Sequence, residues 1–170
     1  AGYDWTVDPL DYALVHEDRG ALAGLERRSG DDLTYASLLV TVLRAARIPS
    51  RLVGGILVSG EGEAYAHFWA EFFVSGIGWI PADPALGDGG FPAAFPEPED
   101  PRDFYFGNLD PWRVTFAYGE SENGPLLRDG AHVEPRDPYT AQLRYIEIGS
   151  AVEATHVEWS VPEVVGARAW

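Results

Sequence analysis

The sequence predicts an α+β fold in which a central helix packs on an antiparallel sheet. Two patterns carry that prediction. Apolar side chains recur at three- and four-residue spacing between residues 33 and 43. Beyond Pro49, runs rich in β-branched and aromatic residues alternate with short glycine-bearing turns. A helix followed by a meander of strands is an α+β arrangement, and 170 residues suit one domain.

Ala1 to Ser29 mixes the aromatics Tyr3, Trp5 and Tyr12 with Leu22 and Leu25, which suggests an extended opening stretch and then a short helix. The strongest helix follows. Ser29, Gly30, Asp31 and Asp32 supply cap candidates and first-turn anions. Leu33, Ala36, Leu39, Val40 and Leu43 then form a stripe that Tyr35, Leu38 and Val42 widen, as in a helix buried in the core. Arg44 to Arg47 close it, and Pro49 forbids continuation. Strands are predicted over 51–59, 64–74 and 79–82, with Gly60 to Glu63 and Ser75 to Gly78 as the turns between them. Leu86 to Arg102 reads as a long loop rich in proline and glycine. Further strands are expected over 112–118, 142–148 and 154–161, all added to the same sheet.

Composition excludes several functions. With 27 acidic and 12 basic residues the net charge is −15, so the chain repels phosphates and no nucleic-acid partner is expected. No apolar run approaches the ~20 residues of a membrane-spanning helix. The absence of Cys rules out disulfides, thiolate metal sites and thiol catalysis by this chain. Met is also absent, as expected of a trimmed or processed chain in which any signal peptide is already gone; an exported or periplasmic location is compatible with this. All 12 basic residues are Arg, so no side-chain amine is available for an isopeptide crosslink.

Four ordered blocks carry a resemblance. They are Gly30 to Ala36, Leu43 to Arg51, His67-Phe68-Trp69-Ala70-Glu71, and Gly78-Trp79-Ile80-Pro81-Ala82-Asp83-Pro84. Together they resemble the bacterial transglutaminase-like domain, a branch of the papain-like cysteine hydrolase superfamily. Phe104 to Asp110 resembles a segment found downstream of the core in some members. The resemblance implies a single domain over 1–170, with core motifs over 25–90, a proline- and glycine-rich loop over 84–103 and additional strands over 104–170. It also implies a Cys-His-Asp triad acting on amide groups of proteins or peptides, with no cofactor. The thiol would sit at the helix N-terminus, where partial positive charge lowers its pKa. His67 and Asp83 match the second and third positions, and Asp32 stands at the cysteine position.

That departure governs the expected function. A carboxylate suits a helix N-terminus and would pair with His67, but it is a poor nucleophile towards an amide. Thiol catalysis is therefore expected to be lost or altered. Ser29, Thr34 and Ser37 are weak substitutes: Ser29 reads as a cap, Ser37 as packed, and Thr34 lies about 200° around the helix from Asp32. Taken alone, Asp32 is an ordinary first-turn anion, His67 a core histidine and Asp83 a turn residue; only the blocks raise them to a site. Trp69 and Trp79 are core aromatics by default, Trp79 also a candidate wall of the cleft, and Glu71 an acid supporting the site or on the surface. One alternative is a non-catalytic module that binds a peptide or glycan in the retained cleft. The lesser one is a metal-assisted hydrolase at Asp32, His67 and Asp83, but no HExxH-type spacing is present and no metal is expected. His16, His132 and His156 show no ligand spacing and read as surface or packing residues.

Overall fold

The computed structural model describes residues 2–15, 18–90, 92 and 95–119, together with the backbone of short strands between residues 121 and 148. The chain opens with helix α1 (Gly2–Val7), where an extended stretch was expected; six residues are too few to show a helical period. Strand β1 (Asp11–Tyr12) and helix α2 (Ala21–Arg27) follow, and β2 (Ser29–Gly30) pairs in parallel with β1. Ser29 is thus a strand residue. The cap of the next helix is Asp31, whose carboxylate accepts the Thr34 N–H at 3.2 Å.

The central helix α3 (Asp32–Ala45) buries Tyr35, Ala36, Leu38, Leu39, Val40 and Leu43. Its apolar stripe is wide because the helix is covered on two sides. One is the sheet of β3 (Ser50–Val58), β4 (Ala64–Val74), β5 (Gly78–Ala82) and β6 (Arg113–Tyr118). The strand order is β5-β4-β3-β6, antiparallel throughout, with Ala70 opposite Leu52 on one side and Ala82 on the other. Leu39, Val40 and Leu43 pack on Ala70 and Ala82 with Tyr3 and Val7 of α1, while Ala36 packs on Leu52. On its other side α3 meets α2, so closely that a Cβ on Gly24 would lie 2.0 Å from the Thr34 methyl.

Alternation along the strands puts Leu57 and Tyr65 on the sheet face away from α3, where Leu86 and Tyr105 cover them. The predicted loop over 86–102 is corrected at its ends by α4 (Pro84–Gly87) and α5 (Pro101–Phe104). In both, an aspartate cap and a proline at the start suit a single helical turn. Five short strands follow: β7 (Ser121–Glu122), β8 (Leu126–Arg128), β9 (Ala131–Val133), β10 (Tyr139–Thr140) and β11 (Ile146–Ile148). The strand expected over 142–148 is described only as β11, which pairs with β8 in a separate three-stranded sheet and not with the main one. The strand expected over 154–161 lies outside the described residues. Among the described residues no helix is long and apolar enough to cross a membrane.

Candidate active site

The site forms at a gap in the sheet edge. β5 pairs with β4 only from Ala70 onward, so on that side the backbone of Phe68 has no strand partner among the described residues. Asp32, the first residue of α3, fills the vacancy: its Oδ2 accepts the Phe68 N–H at 2.8 Å. The same oxygen lies 3.2 Å from His67 Nδ1. The opposite edge of the imidazole is engaged as well, with Nε2 2.6 Å from Asp83 Oδ2. Asp83 follows the last residue of β5 and caps α4, accepting the Leu86 N–H at 3.1 Å. Its backbone is pinned too, with its N–H donating to the Tyr105 carbonyl and its own carbonyl accepting from the Tyr3 hydroxyl. Three residues distant in sequence are thereby held in one row: Asp32, His67, Asp83.

Each carboxylate has a second cation. Arg19 donates through Nη2 to Asp32 Oδ1 at 3.1 Å and through Nε to Asp31. On the far side Arg113 Nη1 lies 2.7 Å from Asp83 Oδ2, and Asp110 anchors its Nε and Nη2 at 3.0 and 2.8 Å. The row thus reads Arg19, Asp32, His67, Asp83, Arg113, Asp110, alternating in charge. Asp83 is fully buried and the Arg113 side chain only 5% exposed, so alternation is what makes the charges tolerable. Burial alone would push the His67 imidazole down; the Asp83 charge and hydrogen bonds to both carboxylates outweigh it and hold the pKa at about 9. Burial likewise pushes Asp83 up, but His67 and Arg113 hold it down at about 2.

Trp69 stacks on His67, with ring centroids 6.2 Å apart and planes 20° apart. Its indole N–H is buried without an acceptor among the described residues. Glu71 and Trp79, expected to support or wall the cleft, lie elsewhere. Glu71 pairs with Arg51, whose guanidinium sits 4.1 Å from the Trp79 ring and 4.1 Å from the Tyr118 ring. Glu71 is four residues along β4 from His67, about 13 Å at the rise of a strand, and that distance separates the cluster from the site. The substitute nucleophiles are occupied or remote. Thr34 donates its hydroxyl to the Arg19 carbonyl, and Ser29 sits in β2. His16 and His156 lie outside the described residues, as does the side chain of His132.

Asp32 and Asp83 lie on opposite edges of the imidazole, so the three side chains offer an ion no common point. Among the described residues no group of three or more His, Asp or Glu side chains is placed to hold a metal ion. An apolar cleft of about 260 Å³, walled by Leu57, Leu86, Phe95, Phe104 and Trp112, shares Tyr105 and Asp110 with the Arg113 anchor. Sequence reasoning missed Arg19, Arg113 and Asp110. Local sequence carries one signal of this kind, an arginine opening an apolar strand at Arg113-Val114, which must find an anion if buried.

A side chain at a helix N-terminus, a histidine on the adjoining strand and an aspartate closing the next strand thus meet in one site of a mixed α+β fold. Residues 1–84 match the family model described as the transglutaminase-like superfamily. Three solved structures resemble the chain. A candidate cysteine protease from Cytophaga hutchinsonii aligns at 24% identity over 48% of this chain and 28% of its own, with a TM-score of 0.41. The periplasmic domain of TgpA from Pseudomonas aeruginosa, solved with ethylmercury bound, aligns at 30% identity over 49% and 35%, with a TM-score of 0.40. A structure described as a TGase aligns at 12% identity over 80% and 33%, with a TM-score of 0.44. The alignments span 28%, 35% and 33% of those chains. No curated protein matches.

Proposed function

We propose that this chain is a transglutaminase-like domain in which Asp32 occupies the place of the nucleophilic cysteine. On this reading thiol catalysis is lost, and the domain engages amide-bearing protein or peptide segments without turning them over. One observation carries the reading: the His67 imidazole lies between two carboxylates, 3.2 Å from Asp32 and 2.6 Å from Asp83. A histidine whose pKa is held at about 9 is protonated at neutral pH, and so is no general base. Attack by Asp32 on an amide would give a mixed anhydride, uphill of the starting bond. What remains is a fixed row of charge whose Asp110 end borders an apolar cleft, and that pairing favours recognition over turnover.

The test is the rate of iodoacetamide alkylation of an Asp32→Cys variant against pH, with and without His67→Ala. A thiolate reacting well below the ordinary thiol pKa of about 8.5, and losing that property without His67, is the expected result. An ordinary thiol would remove Asp32 from the nucleophile position. The unaltered chain should release no ammonia and cleave no amide.

A further inference from the structure

We propose that the groups around the Asp32 side chain form a carboxylate-binding cradle, which the protein fills with its own residue. Three donors from two distant places in the chain converge on the two oxygens. Arg19 Nη2, from the segment before α2, reaches Oδ1 at 3.1 Å. The Phe68 N–H at the sheet gap and His67 Nδ1 reach Oδ2 at 2.8 and 3.2 Å. Asp32 is only 6% exposed, so these donors and not water solvate the carboxylate.

Charge balance agrees with this reading. With the Asp32 carboxylate removed, Arg19 and His67 are matched by Asp31 and Asp83, and Arg113 by Asp110. The gap is then neutral in sum, yet every polar group that had faced Asp32 is a donor. Such a gap takes a small monocarboxylate anion. Arg19 is also held in place without Asp32, through Asp31 and through the face of Phe68 5.6 Å away. In the unaltered chain the cradle is closed from within, and an external carboxylate finds no place.

The experiment uses the full chain with histidine rings isotopically labelled, titrated at pH 6.5 with sodium formate against sodium chloride at matched ionic strength. Asp32→Ala deletes one carboxylate, which formate replaces; Asp32→Gly deletes one methylene more, which acetate replaces. The expected result is a saturable shift of the His67 resonances by formate in Asp32→Ala, with a dissociation constant in roughly the millimolar range allowed to a three-atom ligand. Acetate should bind Asp32→Gly in preference to Asp32→Ala. Adding Arg19→Met should weaken binding about tenfold, the share of one charge-assisted hydrogen bond, and the unaltered chain should not respond. A folded Asp32→Ala chain that shows no saturable shift, or that responds to chloride equally, overturns the proposal. If that variant does not fold in plain buffer, refolding in formate but not in chloride supports the cradle, and failure in both overturns it. The outcome is independent of the alkylation test, because it does not require that a cysteine ever stood at residue 32.

Discussion

His67 carries the site's pH dependence, and its sign follows from its partners. Burial disfavours the imidazolium, but Asp83 and Asp32 more than offset this and raise the pKa from 6.5 to about 9. A raised pKa stabilises the fold fully below 6.5, and that contribution is lost as pH rises through about 9. Asp83 behaves in the opposite sense: lowered to about 2, it contributes fully above 3.8 and is lost as pH falls through 2. The two describe one ion pair and are not summed. Urea midpoints should therefore hold steady between pH 5 and 6.5, fall between about pH 6.5 and 9 by roughly a few kcal/mol in stability, and level off above that. Asp83→Asn should flatten that fall and cost about 3–5 kcal/mol at pH 7, because it leaves His67 and Arg113 facing a neutral group in a buried place. An alkaline limb equally steep in the variant would remove His67 as its source. Asp32, His67 and Asp83 could be named from the sequence because short blocks surround each one. Arg19, Arg113 and Asp110 could not, since their partners depend on register across distant strands. Glu71 and Trp79 were drawn to the site by proximity along the chain, which a strand converts into distance.

The elements that form the sheet were legible because each is a run of β-forming residues bounded by glycine turns; β4 spans 64–74, as the sequence predicts. The central helix was legible by its period. Elements of two to six residues, α1, β1, β2 and α4 among them, are set by tertiary contacts and leave no pattern to read. Between β3 and β6 the register shifts at Gly54 and Gly55, and β6 passes so near that a Cβ on Gly55 would lie 2.1 Å from the Val114 carbonyl oxygen. That contact is with backbone, which cannot swing aside. Gly55→Ala should then push β6 outward, carrying Arg113 with it, and cost about 1–3 kcal/mol. Thermal unfolding reads the loss of stability, and the His67 resonances read whether the displacement reaches the row of charges. A variant as stable as the parent would mean that the two strands sit farther apart.

On the scale of the whole molecule, the transglutaminase-like match ends at residue 84, but the site does not. Asp83 draws its second cation from Arg113 in β6, and its N–H is held by the Tyr105 carbonyl. A chain ended after residue 90 should therefore lose cooperative unfolding: it keeps Asp32, His67 and Asp83 but leaves one edge of β3 bare and Asp83 without its arginine. Circular dichroism melts of the two lengths would decide this, and a sharp transition in the shorter chain would count against it. The coarse class was legible in the sequence because four blocks span the matched half. The dependence on the second half was not, because nothing local links Arg113 to Asp83. The stacking of Trp69 on His67 has a consequence of its own. A protonated imidazole quenches the emission of an indole it touches, so this tryptophan is dim while the ring beside it is charged. Its brightening as pH climbs through about 9 would let the proton on His67 be followed by light alone, with no label added to the protein.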